Sequence, residues 1–224
     1  MSYQVNRTAN EQKHCDARGC PYLRSGLDSV CRKHRPAFKR YGHPTARPLP
    51  RRNWAPYTAA IRHLFALNAG HAGLLEADRF MQSLMTRAAG SSHSFKGACE
   101  FARLSSHGVS ARDVLVEALA VLCYLARSPA VLPDDRSRDF AVARGVFLLA
   151  PQVVKLAWSG TRSRPYRGKA RASSLAFVGK HLRVSLAEFS TTVRAALEAQ
   201  AKVASMTTEE RTAARTAPMV VAYA

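Results

Sequence analysis

Three cysteines and a histidine fall within twenty residues of one another, in the run Cys15-x4-Cys20-x10-Cys31-x2-His34. Thiolate sulfurs and imidazole nitrogens are the ligands of a tetrahedral zinc centre, and two close pairs joined by a short loop supply the four that such a centre needs. A knuckle turn would present the first pair, with Gly19 before Cys20 permitting the tight turn. The second pair, at i and i+3, fits the opening turn of a helix, whose N–H dipoles favour thiolate. With all four positions filled, the spacing predicts a closed structural site for one Zn2+, held by Cys15, Cys20, Cys31 and His34, with no open catalytic position. His14 competes for the place of Cys15, although the adjacency of the two makes simultaneous ligation awkward. No apolar periodicity runs from 10 to 50, so metal binding would supply the folding energy of this segment.

The stretch HCDARGCPYLRSGLDSVCRKHRPAFKRYGHP resembles a small zinc-binding element found near the front of phage-encoded proteins. That family pattern runs Cys-x4-Cys, a loop with a glycine, Cys-x2-His, then basic and aromatic residues leading to Gly-x-Pro. The matching positions are Cys15, Gly19, Cys20, Gly26, Cys31, His34, Tyr41, Gly42 and Pro44, within about residues 14–44. Some members continue into an HNH nuclease domain, and others are DNA-binding proteins of phages and mobile elements with no known chemistry. The resemblance implies zinc and contact with DNA, and leaves activity open.

HNH chemistry needs a histidine base, an asparagine that orients it and a second histidine on a divalent metal, all in a ββα hairpin. Here His63, His71, His93 and His107 are scattered over helical sequence. Asn68, three before His71, reads instead as a helix C-cap, with Gly70 at or near the left-handed position. Paired catalytic carboxylates, a phosphate-cradling glycine loop and a nucleophile signature are all missing, so the reading favours a non-enzyme. A metal-dependent nuclease is the alternative.

Charge points to the partner. The chain carries 34 Lys+Arg against 15 Asp+Glu, a net charge of +19. No acid occurs in windows 29–75 and 140–187, each of which holds nine Lys/Arg, so the two together carry +18 of that charge. Segregation of this kind costs self-repulsion and calls for a polyanion, nucleic acid first, with DNA favoured over RNA. An RNA- or ribonucleoprotein-associated structural role is the second alternative. The candidate contacts in the first window are Arg32, Lys33, Arg35, Lys39, Arg40, Arg47, Arg51 and Arg52. In the second they are Arg162, Arg164, Tyr166, Arg167, Lys169 and Arg171, where arginine forks suit phosphates and Tyr166 can stack or hydrogen-bond.

The elements that position these groups are set by the pattern of apolar residues and breakers. Residues 42–56 contain four prolines, which predicts an extended, polyproline-like arm bearing Arg47, Arg51 and Arg52 and suited to a minor groove. Trp54 is read as anchoring that arm to the helical domain. From Pro56 the apolar residues recur at helical spacing. Helices are predicted ending near 68–70, closing at Gly90, closing at Gly108, spanning Ala111 to about Ala126 behind a Ser110 N-cap, spanning 135–149, and running unbroken from about Ser173 to Ala204. The helix from Ala111 is too apolar to read DNA bases and is expected to be the central core helix. Cys99 and Cys123 are read as small core residues. The fold class is therefore mainly α: a zinc-binding element (1–44), a Pro/Arg-rich arm (45–56), a helical domain (57–215) with an exposed basic loop at 159–172, and a tail (216–224). The start of the chain has no apolar signal region, and the runs near 114–126 and 145–158 are too short or too interrupted to span a bilayer. No membrane association is expected, and the cytoplasm is the expected compartment, where thiols stay reduced.

Overall fold

The computed structural model of the chain describes residues 3–91, 94–151, 154–158, 163–167 and 170–205. The chain is mainly helical, as expected. Its helices are α1 (Tyr3–Glu11), α2 (Arg35–Tyr41), α3 (Ala55–Leu67), α4 (Ala72–Gly90), α5 (Ala98–Ser106), α6 (Ala111–Arg127), α7 (Asp135–Phe147), α8 (Ala172–Ser185) and α9 (Ala187–Ser205). Strands β1 (Val154–Trp158) and β2 (Ser163–Arg167) pair antiparallel between α7 and α8, with Val154 opposite Arg167 and Trp158 opposite Ser163.

α6 is the centre of the body. It is apolar on nearly every side, and α3, α4, α7 and α9 pack around it, with α5 against α4 and α8 against α7. Its start is fixed where the sequence predicts: the Ser110 hydroxyl accepts from the Asp113 N–H at 3.0 Å. α5 stops at Gly108, whose φ is +72°, with the Val109 N–H bonded to the Leu104 carbonyl and the Gly108 N–H to that of Ser105. Only a residue free of Cβ strain closes a helix cheaply in that way. α7 opens on a reciprocal pair between Asp134 and Ser137. α7 and α8 approach until their backbones touch: a Cβ on Gly179 would collide with the Asp139 carbonyl.

One carboxylate lies inside the core. Glu117 of α6 is 1% exposed and accepts from Trp54 Nε1 at 2.8 Å and from the Thr58 hydroxyl at 3.3 Å, while Arg51 Nε stands 3.3 Å away. A buried charge is tolerable when it is paired and hydrogen-bonded in this manner. Trp54 is itself 2% exposed, so it anchors the preceding segment.

Five expectations are corrected. The basic stretch at 159–172 is not a plain loop, because Ser163–Arg167 pair as β2 with β1. Pro165 is tolerated there because a two-stranded ribbon consists entirely of edges. The single long helix from Ser173 to Ala204 is two helices, α8 and α9, broken at Leu186. That residue is buried, and the bend swings α9 from the α7–α8 layer onto α6 and α3. Gly70 is not left-handed; the Asn68 amide bonds back to the Leu64 carbonyl at 2.8 Å and closes α3 without it. Cys99 is exposed, because α5 buries the Ala98, Phe101 and Leu104 side of its surface. Finally, the proline arm is not extended throughout. It is extended at Pro50, with φ −73° and ψ 143°, but Ala46 is buried, Leu49 packs on the core and Arg51–Asn53 form a 3₁₀ turn. Cys123 is buried and α6 is the core helix, both as expected. The tail 216–224, His93, Arg162 and Lys169 lie outside the described residues.

Candidate metal centre and basic face

Residues 12–34 form a loop whose backbone bonds bring its ends together. His14 and Leu23 form a lone antiparallel bridge, and the Cys15 N–H bonds to the Tyr22 carbonyl at 2.9 Å. The Cys20 N–H closes a turn on Ala17 at 3.0 Å, with Gly19 just before it at φ +72°. Asp16 N–H to Ser29 and Ser25 N–H to Val30 tie the second half of the loop to the first. Cys31 and His34 fall in the turn that opens α2: the N–H groups of His34 and Arg35 both return to the Cys31 carbonyl, and His34 is the N-cap.

The four side chains meet. Cys15 Sγ and Cys31 Sγ each lie 3.5 Å from His34 Nδ1, and Cys20 Sγ lies 3.8 Å from Cys31 Sγ. All four ligand atoms are within 4.8 Å of one another, and no other such His/Cys/Asp/Glu group occurs among the described residues. They can hold one metal ion. His14 is outside the group and exposed, its carbonyl accepting from Arg24 Nε at 3.0 Å. His63, His71 and His107 stand at α3, the start of α4 and the end of α5, and they join no such cluster.

The donors around the sulfurs matter as much as the ligands. The Cys31 N–H points at Cys15 Sγ, 3.3 Å away. Burial raises the Cys31 thiol, but the N–H groups of His34 and Lys33 and the neighbouring thiols outweigh it and hold Cys31 below its ordinary value. Cys20 moves the other way, mainly through desolvation. A thiol whose pKa is lowered gives up its proton to a cation more readily.

α1 carries no signature in the sequence, and it latches this loop. The Asn10 amide donates to the carbonyls of Gly26 and Asp28 at 2.8 and 2.9 Å, and Glu11 accepts from the Gly26 N–H at 3.0 Å. Arg24 reaches both Asn10 Oδ1, at 3.1 Å, and Asp16 Oδ1, at 2.6 Å. No metal-ligand spacing marks these residues; the polar, acid-containing sequence of α1 hides them.

The candidate nucleic-acid residues divide by partner. Arg35 and Lys39 share Asp28, and Arg51 faces Glu117. Arg32, Lys33, Arg40, Arg47 and Arg52 are exposed, and among the described residues no carboxylate pairs with them. Lys33 lies over the Tyr22 ring and Arg40 over the Tyr41 ring. Arg164, Tyr166 and Arg167 fall in β2, and Arg171 is the exposed N-cap of α8. No helix of the described residues is long and apolar enough to cross a membrane.

No family model matches the chain, and neither does any curated protein or solved structure.

Proposed function

We propose that this chain is a zinc-stabilised DNA-binding protein of the phage or mobile-element kind, acting in the cytoplasm and performing no chemistry of its own. The observation that carries the reading is that Arg32, Lys33, Arg40, Arg47 and Arg52, in the stretch from the metal loop to α3, are exposed and form no ion pair with a carboxylate among the described residues. Cations held in that state gain by neutralising phosphates and releasing counterions.

Zinc is favoured by donor set and spacing. A tetrahedron with bonds of about 2.3 Å to sulfur and about 2.0 Å to nitrogen has S···S edges near ~3.8 Å and S···N edges near ~3.5 Å. The Cys20–Cys31 edge is 3.8 Å, and the Cys15–His34 and Cys31–His34 edges are 3.5 Å. Zinc bound there would close the loop and set α2 in place. The loop's own cluster is Cys15, Ala17, Val30 and Cys31, in which Val30 is the one aliphatic side chain larger than alanine. Even with Phe38 packed against it, a cluster this small buries too little apolar surface to order a loop of this length. Metal binding would supply the folding energy that the loop lacks.

The test has two arms. Metal analysis of the purified protein should return one zinc per chain, and Cys31→Ser should release it; full retention in that variant removes the assignment. Fluorescence anisotropy against a mixed-sequence duplex and a matched RNA should show tighter, strongly salt-dependent binding to the duplex. Preference for RNA would favour a ribonucleoprotein role, and nicking of plasmid DNA with magnesium or manganese would make the protein a nuclease.

A further inference from the structure

We propose that the cleft between α2 and the α7–α8 pair is a phosphate-binding site centred on Arg144, taking a backbone phosphate of nucleic acid. The cleft is open, about 530 Å³, and its wall carries Lys39 and Arg40 from α2 and Arg144 from α7, with Tyr41 and Phe147 between them. No carboxylate lines it among the described residues.

Arg144 is the anomaly. It is half-buried, its guanidinium carbon lies 5.3 Å from the centre of the Tyr41 ring, and its Nη1 donates to the Arg40 carbonyl at 3.5 Å. The other partly buried arginines among the described residues each face a carboxylate: Arg24 with Asp16, Arg35 with Asp28, Arg103 with Glu100, Arg112 with Asp78, Arg138 with Asp135, Arg183 with Asp135 and Asp139, and Arg194 with Glu198. Arg144 has no carboxylate among the described residues, and desolvation pulls its pKa below the ordinary arginine value. A charge withdrawn from water without a counter-ion is costly, and an anion entering the cleft would remove that cost. A guanidinium laid along an aromatic ring keeps its planar fork fixed, which suits two-point recognition of phosphate.

Two neighbours add to this. Arg40 lies by the same Tyr41 ring, and Lys39, although it reaches Asp28 at 3.6 Å, is exposed at the cleft. α8 begins at the rim: Ala172 lines the cleft, and the Arg171 N-cap provides no side-chain bond to the first-turn N–H groups. The N–H groups at the start of this 14-residue helix favour an anion placed there. Residues 104 apart in the chain thus meet, and the two acid-free windows touch at this cleft.

The inference rests on the DNA-binding reading, and the experiment separates the two. Metal-loaded full-length protein is titrated with a fluorescent duplex between 50 and 200 mM salt, as wild type, Arg144→Gln, Lys39→Gln/Arg40→Gln, and Arg79→Gln as a control outside both windows. Each lost phosphate contact should lower the slope of log K against log salt by about 0.9, so Arg144→Gln should lose about one unit and the double variant up to about two. The control should be unchanged. Lys39 and Arg40 are exposed, so that pair decides alone should Arg144→Gln fail to fold. Duplex binding with unchanged slopes in both variants overturns the cleft and leaves DNA binding standing. Absence of duplex binding by wild type overturns the DNA-binding reading, and with it the nucleic-acid source. In that case thermal stabilisation by pyrophosphate, lost in Arg144→Gln, would assign the cleft to free phosphate compounds, and no stabilisation would remove it.

Discussion

At the scale of single residues, the five cysteines separate into three environments, and their reactivity should separate with them. Cys99 is exposed, Cys15, Cys20 and Cys31 converge with His34, and Cys123 is buried with its thiol pushed up to about 11, chiefly by desolvation. A raised thiol stays protonated at neutral pH and is a poor nucleophile. Metal-loaded protein should therefore titrate one fast thiol with a disulfide reagent, four after chelation, and the fifth only on unfolding. Four fast thiols before chelation would mean that no metal protects the cluster. Arg51 makes a second residue-scale case. Sequence groups it with Arg47 and Arg52, yet its charge is committed to Glu117 while its side chain stays 53% exposed. In Arg51→Ala, Glu117 keeps Trp54 and Thr58 but loses its counter-charge. Allowing for that exposure, a loss of about 1–2 kcal/mol is expected in chemical denaturation. Duplex affinity should fall less than in Arg52→Ala; an equal fall with unchanged stability would place Arg51 on the DNA side instead.

At the scale of elements, Arg103 shows how a helix end feeds a functional segment. Its guanidinium reaches the carbonyls of Phe147, Ala150 and Pro151 at 2.9, 2.9 and 2.7 Å, so a side chain of α5 caps the end of α7 where the chain leaves for β1. The Phe147 carbonyl, in the last turn of α7, has no partner within that helix. Arg103→Lys keeps the charge but can satisfy fewer of them at once, and about 2–3 kcal/mol of stability should be lost, read as a lowered denaturation midpoint. An unchanged midpoint would show that water replaces the fork at no cost. The legibility of the elements obeys the same physics. Helices α3 to α7 are bounded by local chemistry written in the chain: Pro56, Gly90, Gly108, Ser110, the Ser128-Pro129 stop and Asp134. The break at Leu186 escapes because the apolar pattern runs through it, although Ser185-x-x-Glu188 is a helix-start signature inside that run. The β1–β2 ribbon escapes because Pro165, Gly160 and Gly168 look like loop residues. The metal ligands are legible because coordination demands both residue type and spacing. Arg144 is not, since its meaning comes from Tyr41 and from the lack of an acid, which are facts of three-dimensional packing.

At the scale of the whole molecule, two apolar clusters hold two parts of the chain. One is the small cluster around Cys15, Val30 and Cys31, and the other is the body centred on α6. They are joined through α2, which rests on α7. Phe38 belongs to the small cluster and lies under Arg136, whose guanidinium carbon is 4.4 Å from the ring, while Tyr41 packs on the body. Gly42 makes the joint possible: its φ is +83°, and a Cβ there would stand 2.9 Å from the Arg136 carbonyl and from the Phe140 ring. The body buries its own core without using the metal loop, so its stability should not depend on the metal, whereas the loop's should depend on it wholly. Chelation should therefore abolish hydrogen-exchange protection in α1, the loop and α2, while α6 and α7 remain protected and helical signal falls only by the share of those short helices. Duplex binding should weaken in the same titration, because Lys39 and Arg40 would no longer be held opposite Arg144. If chelation instead removed protection from α6, the body would owe its fold to the metal, and the separation of the two clusters would be wrong.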